Sequence, residues 1–182
     1  MKHKPLTLRI RRARPADMES VKMLIREAFT GEDEYWALHD LRYTEVLVAE
    51  WCGRLVGFLE YYYVILWGEL AGAIYYLGVS KQYRRRGVAS RLILTAEEVF
   101  RRAGASYSIA STKSSNIASR NLFRKLGYEE ARDPAVISEL RRALYAYEDD
   151  VFFYKRLRHC LSLGAGASSS IRSPGYSPSS TP

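Results

Sequence analysis

The first 158 residues alternate between two hydrophobic patterns, one with the period of a strand and one with the period of a helix. Residues 6–11 alternate apolar with polar side chains, which predicts a half-buried strand. Residues 18–29 instead place their apolar side chains on one stripe, and Pro15 stands where such a helix would begin. The change of period predicts a strand followed by a helix.

The same comparison predicts the rest of the domain. The predicted elements are, in order, a short helix at 33–42, strands at 45–51 and 54–66 joined at Cys52-Gly53, a strand at 71–80, a helix at 87–103, a strand at 107–110, a helix at 116–126, a strand at 128–132, a helix at 134–146 and a strand at 151–156. This order predicts an α/β domain of the α+β layered type with a mixed sheet. The helix at 87–103 is expected to bury Val88, Leu92, Val99 and Ala103.

The composition changes near residue 159. Residues 161–182 contain eight serines, three glycines and three prolines but only one charged residue. Such a segment buries too little apolar surface to offset the entropy lost on ordering. We therefore expect a domain at 1–158 and a disordered tail at 159–182.

Composition and charge narrow the class of protein. The chain has 182 residues, 47% of them hydrophobic, and a net charge of +8, which favours anionic partners without choosing among them. No apolar run is long enough to span a bilayer, and the charged N-terminus lacks the apolar stretch of a signal peptide, so a cytoplasmic location is expected. Cys52 and Cys160 show no metal-ligand spacing, and two ordinary thiols are favoured over a disulfide or a metal site.

The candidate chemistry lies in QYRRRGVAS, residues 82–90, where a predicted strand meets a predicted helix. The start of a helix presents unpaired N–H groups and a positive dipole end, which together attract an anion. Gly87 lets a ligand approach the backbone, and Ala89 keeps the first turn uncrowded. The spacing fits neither a Walker loop nor a dinucleotide fingerprint.

The spacing Arg84-x-x-Gly87-x-Ala89 resembles the R/Q-x-x-G-x-G/A loop of the GCN5-related N-acetyltransferases, the GNAT superfamily. A second segment, NIASRNLFRKLGY at 116–128, resembles a later segment of the family through the following residues: Asn116, Ser119, Phe123 and Gly127-Tyr128. One helix and one short strand separate the two segments, as the family requires. The resemblance covers about residues 6–158.

The resemblance implies a mixed, mostly antiparallel sheet that splays between its fourth and fifth strands, with helices on both faces. It implies acetyl-CoA as the acetyl donor and no metal. The backbone N–H groups of 85–90 would hold the pyrophosphate, and the arginine side chains would add charge toward the 3′-phosphate. The implied cofactor-binding residues are Leu77, Gly78, Val79, Arg84, Arg85, Arg86, Gly87, Val88, Ala89, Ser90, Asn116 and Phe123. Asn116 is in addition a good N-cap for the helix that follows it.

Two positions depart from the family pattern. Many members carry a tyrosine that protonates the leaving thiolate where this chain has Phe123, which has no hydroxyl. Members that acetylate lysine often carry a glutamate where this chain has Ala73. The nearby acidic candidates for a base are Glu69 and Glu60, of which Glu60 is favoured, and Tyr75 and Tyr76 would orient a water. A solvent-facing strand position for Glu60, and packing on the sheet for each tyrosine, are the competing interpretations.

The resemblance implies an acetyl-CoA-dependent N-acetyltransferase that acts on a primary amine. Because no strong base is evident, a protein or peptide α-amine, with a pKa of about 8, is favoured over lysine at about 10.4. The loop is also similar to that of N-terminal protein acetyltransferases. A small-molecule amine, or an acyl-CoA sensor without turnover, is the alternative. The acidic run 32–34 would either attract a cationic amine or start a helix. Nucleic acid is disfavoured as a partner, no membrane is expected, and both a monomer and a homodimer remain open.

Overall fold

The computed structural model describes residues 8–157, so the predicted tail at 159–182 lies outside the described residues. The strands and helices within that range are β1 (Leu8–Arg12), α1 (Met18–Ala28), α2 (Glu32–Asp40), β2 (Glu45–Trp51), β3 (Arg54–Leu66), β4 (Glu69–Val79), α3 (Val88–Arg102), β5 (Tyr107–Thr112), α4 (Ile117–Lys125), β6 (Glu129–Glu130), α5 (Pro134–Leu144) and β7 (Val151–Arg156). This order confirms the predicted one. No helix in this part of the chain is both long and apolar enough to cross a membrane.

The seven strands form one sheet in the order β1-β2-β3-β4-β5-β7-β6. Every neighbouring pair is antiparallel except β4 and β5, which are parallel. The pairing of β4 with β5 covers only Ala71–Ile74 of β4, so residues 75–79 have no strand beside them on that side. The predicted splay between the fourth and fifth strands is therefore confirmed.

Helices cover both faces of the sheet. Leu59 of β3 packs in one apolar cluster with Leu92 and Phe100 of α3, whereas the neighbouring Phe58 packs in another with Val21 of α1. Because successive strand residues point to opposite faces, α3 and α1 lie on opposite sides of the sheet. The α2 helix packs beside α1, and α5 packs in a third cluster with β3, β4, β5 and β7.

The buried stripe of α3 differs from the predicted one. Leu92, Ala96 and Phe100 are fully buried, but Ala103 is exposed because the helix ends before it, so its predicted burial is wrong. Phe100 packs directly on β4 at Gly72, where an added Cβ would overlap the Phe100 ring. This close approach brings α3 onto the sheet beside the splayed part of β4.

The strand predicted at 128–132 shrinks to the two residues of β6. Tyr128 instead lies in the core, where its hydroxyl pairs with Ser108 at 2.7 Å. Asp133 ends the extended stretch because its side chain accepts a hydrogen bond from the N–H of Ala135 at 2.7 Å and so caps α5. The inserted helix is therefore confirmed, and it ends where Tyr145 takes a positive φ of 51°.

Candidate active site

Glu60, Tyr75 and Tyr76 meet at one irregularity of the sheet. The register between β3 and β4 shifts there, so that Glu60 alone stands opposite both tyrosines. Such a bulge re-aims side chains that would otherwise alternate between faces. The ring centroids of Tyr75 and Tyr76 are 4.5 Å apart, although the two residues are consecutive. The three predicted catalytic residues are thus brought together, while their catalytic role stays a prediction.

The bulge lies where β4 parts from β5. The last β4 residue paired with β5 is Ile74, opposite Ala110, and the bulge begins at the next residue. Beyond it, Leu77 and Val79 lie on a strand edge whose backbone groups have no strand partner on the β5 side. An extended ligand can pair with such an edge as an added strand would.

Gly78 serves packing on the covered face of β4. An added Cβ at Gly78 would overlap the ring of Phe58 and would lie 2.9 Å from the Cβ of Ala28 at the end of α1. The glycine therefore lets α1 and β3 approach the strand that forms the splayed edge. Its predicted contact with the cofactor stays a prediction.

The carboxyl group of Glu60 is buried, so the solvent-facing interpretation is wrong. Its Oε2 accepts a hydrogen bond from Thr44 Oγ1 at 3.1 Å, and its Oε1 has no hydrogen-bond partner within residues 8–157. Burial raises the pKa of Glu60 to about 8; the Thr44 bond opposes this rise, and the charge of Asp40 adds to it. A carboxyl with this pKa changes protonation close to neutral pH, as a general base requires.

Tyr75 and Tyr76 are both held as neutral phenols. The hydroxyl of Tyr75 donates to Asp40 Oδ2 at 2.8 Å, and burial together with this bond raises the pKa of Tyr75 far above its usual range. Burial, followed by the charge of Asp33, likewise raises the pKa of Tyr76. Tyr62 packs edge-on against Tyr75 at 5.4 Å. These phenols can act as hydrogen-bond donors but not as bases near neutral pH.

The loop before α3 exposes the start of that helix. Gly87 is the N-cap with a positive φ of 78°, and no side chain caps the helix. An added Cβ at Gly87 would meet no heavy atom within 4 Å. The first intrahelical acceptor, the carbonyl of Gly87, is taken by the N–H of Arg91, which leaves the N–H groups of 88–90 for a ligand. The space and these donors fit the pyrophosphate of acetyl-CoA.

The side chains of the three consecutive arginines in this loop make different contacts. Arg84 donates from Nε to the carbonyl of Val79 at 3.0 Å, which ties the loop to the end of β4. The guanidinium of Arg86 lies over the rings of Tyr83, at 5.7 Å, and Trp51, at 6.0 Å. Arg85 makes no side-chain hydrogen bond, ion pair or ring contact with any residue of 8–157, and its φ is 60°. Of the three arginine side chains, only that of Arg85 has no such contact with residues 8–157.

Asn116 and Phe123 have clear structural roles. Asn116 Oδ1 accepts the N–H of Ser119 at 3.1 Å, which confirms the predicted N-cap of α4. Phe123 is buried, with its ring stacked on Phe153 at 5.2 Å and edge-on to Tyr128 at 5.0 Å. The contacts of both residues with the cofactor stay predictions.

Sequence reasoning missed a second acidic run that faces the first. Lys113 Nζ lies 3.2 Å from Asp33 Oδ2 and 3.5 Å from Glu148 Oε2, so it joins the start of α2 to the segment before β7. The pKa of Glu32 is raised, chiefly by its like-charged neighbour Glu148. We call Glu32, Asp33, Glu148 and Asp149 the acidic rim. The sequence YEDD at 147–150 is the pattern from which this second acidic run could have been predicted.

Comparison with known proteins identifies the family. The model of the Acetyltransferase (GNAT) family matches residues 15–128, and an uncharacterized N-acetyltransferase of Methanocaldococcus jannaschii is 28% identical over 130 residues, 68% of this chain and 79% of that protein. The crystal structure of the ribosomal-protein-S18-alanine N-acetyltransferase of Escherichia coli has a TM-score of 0.63 and 15% identity, covering 88% of this chain and 100% of that one. The PaiA N-acetyltransferase of Thermoplasma acidophilum, solved with coenzyme A, has a TM-score of 0.64 and 16% identity, covering 83% and 99%.

The chain belongs to the acetyltransferase (GNAT) family. It is an N-acetyltransferase, and acetyl-CoA is its acetyl donor. The likeness to the two solved structures establishes the fold alone, and the roles of the splayed edge of β4 and of the start of α3 in holding the donor stay predictions.

Proposed function

We propose that this enzyme transfers the acetyl group of acetyl-CoA to the α-amine of a protein or peptide, with Glu60 as the general base. The observation that carries the proposal is the buried Glu60 carboxyl, whose pKa is raised to about 8 beside the splayed edge. An α-amine has a pKa of about 8, whereas a lysine amine has one of about 10.4. The pKa of Glu60 is close to that of an α-amine, so Glu60 can accept a proton from it. A lysine amine has a much higher pKa and would stay protonated near neutral pH.

The residues then divide the work between binding and chemistry. The N–H groups of 88–90 bind the pyrophosphate, and the edge at Leu77–Val79 pairs with the pantetheine arm. The neutral amine attacks the thioester carbon, a C–N bond forms, and the C–S bond breaks. The proton lost by nitrogen passes to Glu60, and the thiolate takes a proton from water. Holding both substrates in line supplies much of the rate enhancement.

One further observation supports an α-amine acceptor, and one observation favours a different acceptor. The Escherichia coli enzyme that is similar in fold is named for an alanine acceptor on a ribosomal protein. The rival acceptor is a cationic small-molecule amine, and the observation that favours it is the acidic rim near Tyr76.

An acceptor panel tests the proposal. The protein is mixed with acetyl-CoA and, separately, with peptides that offer only an α-amine, peptides that are blocked at the N-terminus and offer only lysine, and small diamines. Free thiol and the acetylated product are followed. We expect turnover with α-amines, and loss of at least about 100-fold in Glu60→Gln. Turnover with diamines alone would support the small-molecule acceptor, and an absence of thiol release with every α-amine would overturn the proposal.

A further inference from the structure

Thr44 is the only described residue that hydrogen-bonds the Glu60 carboxyl. It lies in the turn between α2 and β2, where its Oγ1 is 3.1 Å from Glu60 Oε2 and 3.2 Å from the backbone carbonyl of Asp40. That carbonyl already accepts the N–H groups of Tyr43, at 2.8 Å, and of Thr44, at 3.1 Å. A carbonyl oxygen has two lone pairs, so the Glu60 carboxyl is the acceptor that the threonine hydroxyl serves.

The two oxygens of Glu60 are therefore not equivalent. Oε2 accepts a hydrogen bond, while Oε1 is buried and has no partner within residues 8–157. A carboxyl group with one oxygen held cannot exchange its oxygens by rotation without breaking that bond. The bond can persist when Glu60 is protonated on Oε1, because Oε2 is then a carbonyl oxygen and still an acceptor.

We infer that Thr44 is a positioning residue for the base: it holds Oε2 of Glu60 so that Oε1 is the atom that takes the proton of the acceptor amine. The inference rests on the proposed role of Glu60. A base aligned by a third group is a common arrangement in catalytic sites. The hydroxyl of Thr44 is donated to the carboxyl, so Thr44 would act through Glu60.

The groups around Glu60 determine how the loss of the Thr44 hydroxyl should change the pH dependence of activity. Asp40 of α2 raises the pKa of Glu60, Thr44 lowers it by bonding the ionised form, and Tyr75 and Tyr76 of β4 stand opposite as neutral phenols. Removing the Thr44 hydroxyl removes a bond that favours the carboxylate. The pKa of Glu60 should then rise further, and the activity that depends on the carboxylate should appear only at higher pH.

Two matched variants test the inference. Thr44→Val keeps the shape and removes the hydroxyl, whereas Thr44→Ser keeps the hydroxyl. We expect kcat of Thr44→Val to fall at least about 10-fold at pH 7.5, with the rising limb of its pH profile moved to higher pH, and the KM for acetyl-CoA to stay within about twofold. In Thr44→Ser the rising limb of the pH profile should lie at the same pH as in the unaltered protein. A valine variant with the limb and kcat of the unaltered protein would overturn the inference, as would equal losses in both variants at every pH.

A second measurement does not depend on turnover. The Glu60 carboxyl is titrated by carbon NMR in the unaltered protein and in Thr44→Val, and a higher pKa in the variant is expected. An unchanged pKa overturns the role of Thr44 even if catalysis is normal. By contrast, full activity of Glu60→Gln would remove the proposed base while leaving a measured Thr44–Glu60 coupling intact, so the two failures are distinguishable.

Discussion

Tyr75 donates its hydroxyl hydrogen to Asp40, with Oη 2.8 Å from Oδ2, and so ties the bulged edge of β4 to the end of α2. The other oxygen of Asp40 lies 2.8 Å from Nδ1 of His39. Asp40 is therefore placed by two partners, and its charge acts on Glu60. The end of α2 thus sets both the geometry and the electrostatics at the bulge.

Asp40→Asn should lower the pKa of Glu60. The substitution removes the negative charge that opposes ionisation of Glu60 and keeps a carbonyl oxygen for the Tyr75 hydroxyl. We expect the rising limb of the pH profile to move to lower pH, opposite in direction to Thr44→Val. The measurement is kcat between pH 5.5 and 9.5. Tyr75→Phe is the control, because it breaks the bond but leaves the charge. A downward shift of equal size in both variants would contradict this explanation.

Gly87→Ala should weaken acetyl-CoA binding without unfolding the protein. A Cβ at this position, with φ of 78°, costs about 1 to 2 kcal/mol of backbone strain. It meets no neighbour within 4 Å, so the fold survives, but it occupies the space where the pyrophosphate would lie. We expect the Kd measured by calorimetry to rise at least about 10-fold, as a blocked close approach implies. Gly104→Ala is the matched control, with φ of 84° and equal open space at the far end of α3; an equal loss of binding there would refute the pyrophosphate placement.

Arg85→Ala should weaken binding through the 3′-phosphate of the donor. Arg84 and Arg86 are engaged by Val79 and by two aromatic rings, respectively, whereas Arg85 is uncommitted within residues 8–157. We expect the Kd for acetyl-CoA to rise about 3- to 10-fold in Arg85→Ala, with no change for a donor that lacks the 3′-phosphate. If both donors lose affinity equally, Arg85 does not recognise that group. The comparison is made at fixed ionic strength, since salt screens such contacts.

The strand, loop and helix around residues 82–90 could be predicted from the sequence because their pattern is local, while phosphate binding by that loop stays a prediction. Arg84, Gly87 and Ala89 lie within six residues, and the strand before them and the helix after them are visible in the hydrophobic pattern. The same pattern predicted the order of the strands and helices, including the inserted helix α5 before β7. Its errors, such as the burial of Ala103, concern where an element ends.

The environment of Glu60 could not be predicted, because it is set by residues distant in the chain. An acidic residue in a strand is normally predicted to face solvent. Here a bulge in the sheet and the turn after α2 bury Glu60. Asp40, at the end of α2, and Thr44, in the turn after it, are ordinary polar residues and carry no signal of their own. The acidic rim likewise exists only because the fold brings Glu148 to Asp33 through Lys113.

The stability of the protein should fall as the pH rises from about 4.5 to about 8. The pKa of Glu60 is raised on folding, so the folded state binds more protons than the unfolded state in this window. The penalty for ionising the buried carboxyl grows by at most about 1.4 kcal/mol per pH unit and is complete above about pH 8. Glu60→Gln cannot ionise, and its free energy of unfolding should exceed that of the unaltered protein at pH 8.5 but not at pH 4.5.

Urea unfolding of both proteins at the two pH values measures this difference. Glu69→Gln is the control, because it removes a half-buried carboxyl from the same hairpin. It should leave the pH dependence that is specific to Glu60 in place. If Glu60→Gln and the unaltered protein lose stability in parallel over this window, the carboxyl of Glu60 ionises as readily in the folded protein as in the unfolded chain. Glu60 would then be an ordinary carboxylate at neutral pH, and the pKa match to an α-amine, on which the choice of acceptor depends, would be lost.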